Sequence, residues 1–150
     1  MAIGTNLRLS IMNKVWLAFA NTEKFNAIDC FRILGYSFWK MGNRKFSVGD
    51  TIFFYVSSER KVMFKTQVTE INLNQPKWDD DEYWSETEKA KALGKPRMRL
   101  ELMCEYNGDE LDDDRLRLYG MPERKSPLEQ PVYKKYIECI NYISRIFNGQ

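Results

Sequence analysis

No histidine occurs among the 150 residues of this chain. Histidine is the side chain whose ordinary pKa lies closest to neutral pH, and it often serves as a general base or a metal ligand. Its absence excludes Ser-His-Asp and Cys-His catalysis, HNH-type nuclease sites and histidine-ligated metals. Any catalysis would have to use carboxylates, lysine or tyrosine. We therefore predict a binding protein rather than an enzyme, with no metal and no cofactor.

Cysteine, glycine clusters and long apolar runs are also scarce. The three cysteines, Cys30, Cys104 and Cys139, are far apart and lack CxxC spacing, so neither a disulfide framework nor a zinc site is indicated. The eight glycines are scattered and form no phosphate-binding loop. No apolar stretch approaches the roughly 20 residues of a membrane span, and residues 1–11 do not resemble a signal peptide. The sequence predicts a cytoplasmic protein with no membrane partner.

Aromatic rings are abundant, and charge is unevenly distributed along the chain. The 9 Phe, 8 Tyr and 4 Trp residues suit both a core and a stacking surface. Basic residues outnumber acidic ones 10 to 5 in residues 1–70 and 7 to 3 in residues 115–150, whereas acidic residues lead 13 to 6 in residues 71–114. This asymmetry is compatible with one basic face that binds a polyanion such as nucleic acid.

Strand and helix patterns predict a single α+β domain over residues 12–150, preceded by a weakly ordered extension, residues 1–11. Runs of β-branched and aromatic residues, or their alternation with polar ones, predict strands at 15–20, 51–56, 62–69 and 97–106. Spaced apolar residues predict a helix at 25–34, ended by Gly35, and another at 133–147, opened by Pro131. Residues 74–94 are expected to form an insertion with a short helix.

The segment from Phe38 to Lys45 is predicted to be a polar loop, and it carries the most informative group of side chains. It contains Trp39, an amide and three basic residues, and it leads into the strand at 51–56. A nucleobase-binding pocket needs a flat ring for stacking, polar groups for the base edge and positive charge for phosphates. The alternative is that the aromatic rings of this segment fold into the core.

Charged pairs and runs occur at several predicted loops. The basic pairs, together with the amide side chain of Asn43, form a candidate set of phosphate contacts. The set comprises Asn43, Arg44, Lys45, Arg60, Lys61, Arg124 and Lys125. Dispersed solubilising charge is the equally supported alternative. The acidic runs at 79–82 and 112–114 offer oxygen ligands for a divalent cation, but neither matches an EF-hand loop, and we interpret both as solvated loops.

Four blocks of the sequence resemble successive blocks of EVE domains, which belong to the PUA-like group that includes YTH and ASCH domains. These blocks are residues 16–21, 38–44, 48–57 and 62–71, and the similarity covers residues 12–147. The most specific motif is a tryptophan followed by Val48-Gly49-Asp50 and the aromatic strand. The resemblance implies a small, twisted, partly closed β-barrel flanked by α-helices, with a pocket for a flipped, modified base.

The resemblance also implies roles for particular residues. Asn21 matches a polar residue that lines the pocket at the end of the first strand, and Trp39 matches a tryptophan that forms one wall. The backbone of Lys40 would contact the base edge. The second wall would come from Trp84, Trp78 or Tyr55. The insertion at 74–94 departs most from the pattern of the group.

The leading hypothesis is a reader of modified nucleobases, most simply methylated cytosine or a related base in DNA rather than in RNA. It would serve a modification-dependent restriction or phage-defence system in which a separate nuclease subunit cuts the strand. Two alternatives stay open. An ASCH-like RNA-binding or RNA-cleaving protein would use Lys40, Arg44 and Tyr55. A protein-interaction module would instead dock its aromatic segment on another protein.

Overall fold

A computed structural model describes residues 13–123 and 129–150 of the chain. Its strands are β1 Val15–Ala20, β2 Tyr36–Lys40, β3 Thr51–Val56, β4 Lys61–Leu73, β5 Arg97–Glu105 and β6 Glu129–Val132. Its helices are α1 Ala27–Ile33, α2 Glu86–Ala92, α3 Asp113–Leu118 and α4 Ile137–Asn148, with 3₁₀ turns at Asp81–Tyr83 and Asp109–Leu111. The predicted extension, residues 1–11, lies outside the described residues.

The six strands form one curled sheet in the order β2-β5-β4-β3-β1-β6, in which β1 and β3 are parallel and the other neighbours antiparallel. Strands β2 and β3 are three positions apart, which would separate them by about 14 Å in a flat sheet. The ring centroids of Trp39 in β2 and Phe54 in β3 nevertheless lie 4.9 Å apart. The sheet therefore curls into a partly closed barrel flanked by helices, which confirms the predicted α+β fold.

Both faces of the central strands are buried. In β1, Trp16, Ala18 and Ala20 face the inner cluster, which also holds α1 residues. Leu17 and Phe19 face the outer cluster, where the apolar side of α4 covers the sheet. A strand that is covered on both faces has no polar alternation, which explains the continuous apolar runs of β1 and β3.

The buried carboxylate of Asp50 fixes the turn that enters β3. It accepts hydrogen bonds from the backbone N–H of Lys14 at 2.9 Å, from Trp16 Nε1 at 3.0 Å and from the backbone N–H of Ser47 at 3.0 Å. The preceding residue, Gly49, has a φ of 97°, a conformation that strongly favours glycine. The Val48-Gly49-Asp50 motif thus has a structural role, since it joins the start of β1 to the start of β3.

Most predicted elements are present, with three differences. The loop prediction for residues 38–45 was wrong in its first part, because Phe38, Trp39 and Lys40 belong to β2, which pairs with β5. Pro131 lies in the edge strand β6 rather than at a helix start, and α4 begins only at Ile137. Edge strands tolerate proline because one side of them needs no backbone donor. Helix α3 lies in a charged stretch for which no element was predicted.

A helix that crosses a lipid bilayer needs about 20 predominantly apolar residues. Among the residues described, no helix is both long enough and apolar enough to cross a membrane.

Candidate functional site

Three aromatic rings meet on the inner side of the sheet, close to its β2 edge. Phe25, which precedes α1, stacks on Trp84 with ring centroids 4.2 Å apart and an interplanar angle of 26°. Trp39 of β2 meets both rings edge-on, at 5.4 Å from Phe25 and 5.1 Å from Trp84. Trp39 and Phe25 are buried, whereas Trp84 is half-buried. We call Phe25, Trp39 and Trp84 the aromatic cluster.

Asp80 holds the aromatic cluster to the edge of the sheet. Its Oδ2 accepts hydrogen bonds from Ser37 Oγ at 2.7 Å, from the backbone N–H of Phe38 at 2.8 Å and from Trp84 Nε1 at 2.8 Å. Burial raises the pKa of this carboxyl, and the hydrogen bonds from Phe38, Trp84 and Ser37 oppose that rise. One side chain therefore caps the free edge of β2 and orients the indole of Trp84.

Two polar atoms beside Trp84 lack partners. In the described part of the chain, neither the indole N–H of Trp39 nor Oδ1 of Asp80 has a hydrogen-bond partner, although both atoms are buried. A buried polar group without a partner costs about 1–3 kcal/mol. One is a donor and the other an acceptor, which are the two kinds of group that the edge of a nucleobase offers.

Lysine side chains surround a buried carboxylate next to the aromatic cluster. Glu88 of α2 is only 7% exposed, and its Oε1 lies 3.6 Å from Lys24 Nζ and 3.6 Å from Lys91 Nζ. Lys40, at the end of β2, is a further cation close to Glu88: partial burial lowers the pKa of its amine, while the Glu88 carboxylate acts in the opposite direction. Three cations thus lie close to the Glu88 carboxylate. We call Lys24, Lys40 and Lys91 the lysine group.

The other two residues predicted to bind the base lie elsewhere. Asn21, at the end of β1, accepts a hydrogen bond from the backbone N–H of Glu23 at 3.0 Å and lines a shallow depression of about 290 Å³ with Ser57 and Ser58. Tyr55 belongs to the outer cluster, on the opposite face of the sheet from Trp39, and its hydroxyl donates to Asp113 Oδ1 at 2.6 Å. Of the three candidates for a second wall, only Trp84 contacts Trp39 among the described rings.

The predicted phosphate contacts fall into separate groups. Asn43 and Lys45 are exposed and Arg44 is half-buried in the turn that follows β2. Arg60, by contrast, pairs with Asp113 at 2.8 Å, and Lys61 Nζ donates to the Asn107 carbonyl at 3.1 Å.

Arg60 and Lys61 line a groove of about 460 Å³ that is rich in carboxylates and includes Asp109 and Asp112. No group of three or more Asp, Glu or Cys side chains within the described ranges is arranged to hold a metal ion. Arg124 and Lys125 lie outside the described residues.

Sequence reasoning missed Phe25, Asp80, Glu88, Lys24 and Lys91. Asp80 is the second of four consecutive acidic residues, and nothing local distinguishes the one that becomes buried. The lysines come from segments that are far apart in the chain. Only residues 86–91 gave a signal. They place a glutamate three positions before a lysine twice, a spacing that is typical of ion pairs on a helix.

Comparison with known proteins bears on the fold alone. No protein family model matches the chain, and no curated protein sequence matches it significantly. A solved structure described as a hypothetical protein from Leishmania major matches with a TM-score of 0.53 and 21% sequence identity, over 92% of this chain and 96% of that one. The half-barrel sheet with flanking helices fits the PUA-like architecture.

Proposed function

We propose that this protein is a non-enzymatic reader of modified nucleobases, which accepts a flipped base at the aromatic cluster. One observation carries the proposal: Trp39 has a buried indole N–H with no partner among the described residues, its ring centroid lies 5.1 Å from that of Trp84, and its neighbour in the chain, Lys40, belongs to the lysine group. Stacking rings, unpaired polar atoms for a base edge and positive charge for phosphates then occur together. The resemblance of the sequence to EVE domains supports the same function.

A base would have to open the aromatic cluster before it could bind. A base between two parallel rings requires about 7 Å between them, which is twice the ordinary contact distance between carbon atoms. Trp39 and Trp84 are closer than that and are inclined by 67°. Trp84 is held by its hydrogen bond to Asp80 and its stack on Phe25, but it is half-buried whereas Trp39 is buried, so Trp84 is the wall that would move. We therefore expect binding by induced fit.

The energies are compatible with this mechanism. Flipping a base costs a few kcal/mol, and stacking on aromatic rings returns about 1–3 kcal/mol per base. The burial of one methyl group adds about 0.8 kcal/mol, so preference for methylated cytosine would be moderate from that contact alone. The lysine group, together with Asn43, Arg44 and Lys45 in the next turn, would hold the phosphates of DNA. In a restriction system, cleavage would belong to another chain.

Fluorescence anisotropy with labelled oligonucleotides that contain cytosine or 5-methylcytosine tests this proposal. The informative variant is Trp84→Ala, because Trp39 is a core residue whose truncation costs about 3–5 kcal/mol of stability. Trp84→Ala should weaken binding of the methylated oligonucleotide roughly 5- to 100-fold, which corresponds to the loss of one stacking ring. Tyr83→Ala, which removes the adjacent half-buried ring, is the matched control and should bind like the wild type.

Two results would contradict the proposal: equal affinity of the wild type for methylated and plain oligonucleotides, or unchanged binding by Trp84→Ala. The same samples address the RNA-cleaving alternative, for which the geometry offers less support. Its residue Tyr55 donates to Asp113 on the outer face, away from the aromatic cluster. Single-stranded RNA should stay intact without added metal, and degradation would favour that alternative.

A further inference from the structure

A cavity that is separate from the aromatic cluster lies beside Arg97, the first residue of β5, and has no role in the proposed base binding. Its volume is about 390 Å³, and it lies between the segment 74–81, the end of α2 and the start of β5. The side chains that bear on its chemistry are those of Asn74, Gln75, Asp81, Lys89, Lys95 and Arg97. Three cations and one carboxylate thus line it.

Arg97 is the unusual member of this cavity. It is only 5% exposed, and its guanidinium lies 4.5 Å from the centroid of the Trp78 ring. Within the residues described, its Nε is buried without a hydrogen-bond partner, and no carboxylate lies within 4.0 Å of the guanidinium nitrogens. Burial lowers the pKa of Arg97, while Asp80 and Asp81 act in the opposite direction. A buried charge without a direct partner is costly, so the cavity favours a ligand that supplies one.

Arg99, two residues along the same strand, is an arginine whose guanidinium does have hydrogen-bond partners. Its guanidinium also lies 4.5 Å from an aromatic ring, that of Tyr36. Unlike Arg97, it donates from Nη1 to Thr69 Oγ1 at 3.1 Å and to Glu101 Oε2 at 3.3 Å. Stacking on a ring therefore does not explain why Nε of Arg97 has no partner in the described part of the chain.

We propose that this cavity binds a phosphate group, with the guanidinium of Arg97 as its bidentate partner. A guanidinium fork matches two phosphate oxygens, and the burial of Arg97 strengthens such a pair. Lys95 supplies a second positive charge, and the amides of Asn74 and Gln75 supply neutral donors. The remaining groups are already engaged, since Lys89 pairs with Glu86 at 2.9 Å and Asp81 accepts a hydrogen bond from the backbone N–H of Trp78 at 3.2 Å. The site does not depend on base reading.

The phosphate could come from a small phosphorylated molecule or from a nucleic-acid backbone, and one experiment separates these sources. The Nε–H signals of arginine side chains are followed by ¹H–¹⁵N NMR while inorganic phosphate, and separately oligothymidylate, is added to the wild-type protein at constant ionic strength. A saturable shift of the Arg97 signal with inorganic phosphate supports a small ligand. A shift with oligothymidylate alone supports a backbone phosphate. No shift with either, or an equal shift of Arg99, would overturn the proposal.

Thermal unfolding gives an independent test with a matched control. Arg97→Met removes the charge at similar volume, so the variant should melt no lower than the wild type without phosphate and should lose the rise in melting temperature that phosphate causes. Its affinity for phosphate should fall about tenfold or more, as expected for a lost charge-assisted pair. Arg99→Met should keep the rise. An undiminished rise in Arg97→Met would refute the assignment.

Discussion

Two buried aspartates each accept three hydrogen bonds, two of which come from a segment that is distant in the chain. Asp50 binds the start of β1, and Asp80 binds the edge of β2; each also accepts a tryptophan indole N–H, from Trp16 and Trp84 respectively. Charge-assisted bonds of this kind are stronger than neutral ones and are directional. These bonds orient the indoles, which matters for Trp84 because it is one of the rings that contact Trp39 and the one that would have to move for a base to enter.

A residue of the site could be predicted from the sequence only where its neighbours in the chain distinguish it. The resemblance to EVE domains named Trp39 as one wall and gave Trp84 as one of three candidates for the second. Asp80 was not named, because its three neighbours are acidic too and only the tertiary structure buries one of the four. Tyr55 was named as a possible wall, but strand residues alternate between faces, and the direction of that alternation depends on which face α4 covers.

The ion pair between Arg32 and Glu105 should make stability depend on acid pH. Two bonds join the side chains, from Nε to Oε1 at 3.0 Å and from Nη2 to Oε2 at 2.7 Å. The hydrogen bond from Arg32 lowers the pKa of Glu105 below its ordinary 4.5. The stabilisation is therefore present above pH 4.5 and is lost as the pH falls through the lowered value.

Glu105→Gln should thus cost about 1 kcal/mol of unfolding free energy at neutral pH and progressively less towards pH 3. Urea titrations at a series of pH values measure this difference. Glu101→Gln on the same strand, whose carboxylate is more exposed and accepts a single longer bond from Arg99, is the control and should show a smaller effect. A cost for Glu105→Gln that does not change with pH would contradict the assignment.

At the scale of elements, helix α2 depends on its surroundings. It has seven residues, which is too short for a stable isolated helix. Ser85 caps it by accepting a hydrogen bond from the Glu88 N–H at 3.2 Å, and the Ser85 N–H donates to the Lys24 carbonyl at 2.9 Å. The helix carries Glu88 and Lys91, so its docking sets the position of the lysine group.

Removal of the cap should loosen α2 more than the rest of the fold. Ser85→Ala is expected to cost about 1 kcal/mol locally, which corresponds to roughly fivefold faster hydrogen exchange of the α2 amides. Asn26→Ala, which removes the corresponding cap of α1, is the matched control and should affect α1 instead. Equal acceleration throughout the chain after Ser85→Ala would show that α2 does not open independently.

Elements were predictable where their signal is local. Strands β1 and β3 stand out because a strand covered on both faces is apolar throughout. Strand β2 was taken for a loop because it pairs with β5, about 60 residues further on, and that pairing leaves no trace in residues 38–40. Strand β6 was missed because Pro131 was interpreted as the start of a helix.

At the scale of the whole molecule, positive charge lies in two different settings. The three cations of the lysine group lie around one buried carboxylate, that of Glu88. Arg60 and Lys61, by contrast, line a groove with several carboxylates. The sequence predicted the segregation of charge along the chain, but not which cations would be neutralised. That outcome depends on the folded positions of the acidic residues at 109–114.

Salt dependence should distinguish the two settings. Each phosphate contact that is lost lowers the slope of log affinity against log salt concentration by about 0.9 for duplex DNA. Lys91→Gln should therefore lower the slope by about that amount, whereas Lys61→Gln, an identical change of charge in the acidic groove, should leave it unchanged. An equal reduction in both variants would mean that nucleic acid does not select the face that carries the aromatic cluster.

The position of β6 has a consequence for the order of assembly. This strand pairs with the outer edge of β1, and α4, which follows it, covers Leu17 and Phe53 on the outer face. During synthesis β1 is made before β6 and α4, so its free edge and one of its apolar faces stay open until residues 129–148 have left the ribosome. Until then the nascent chain exposes a surface on which other chains can aggregate, and β6 and α4 together close that surface.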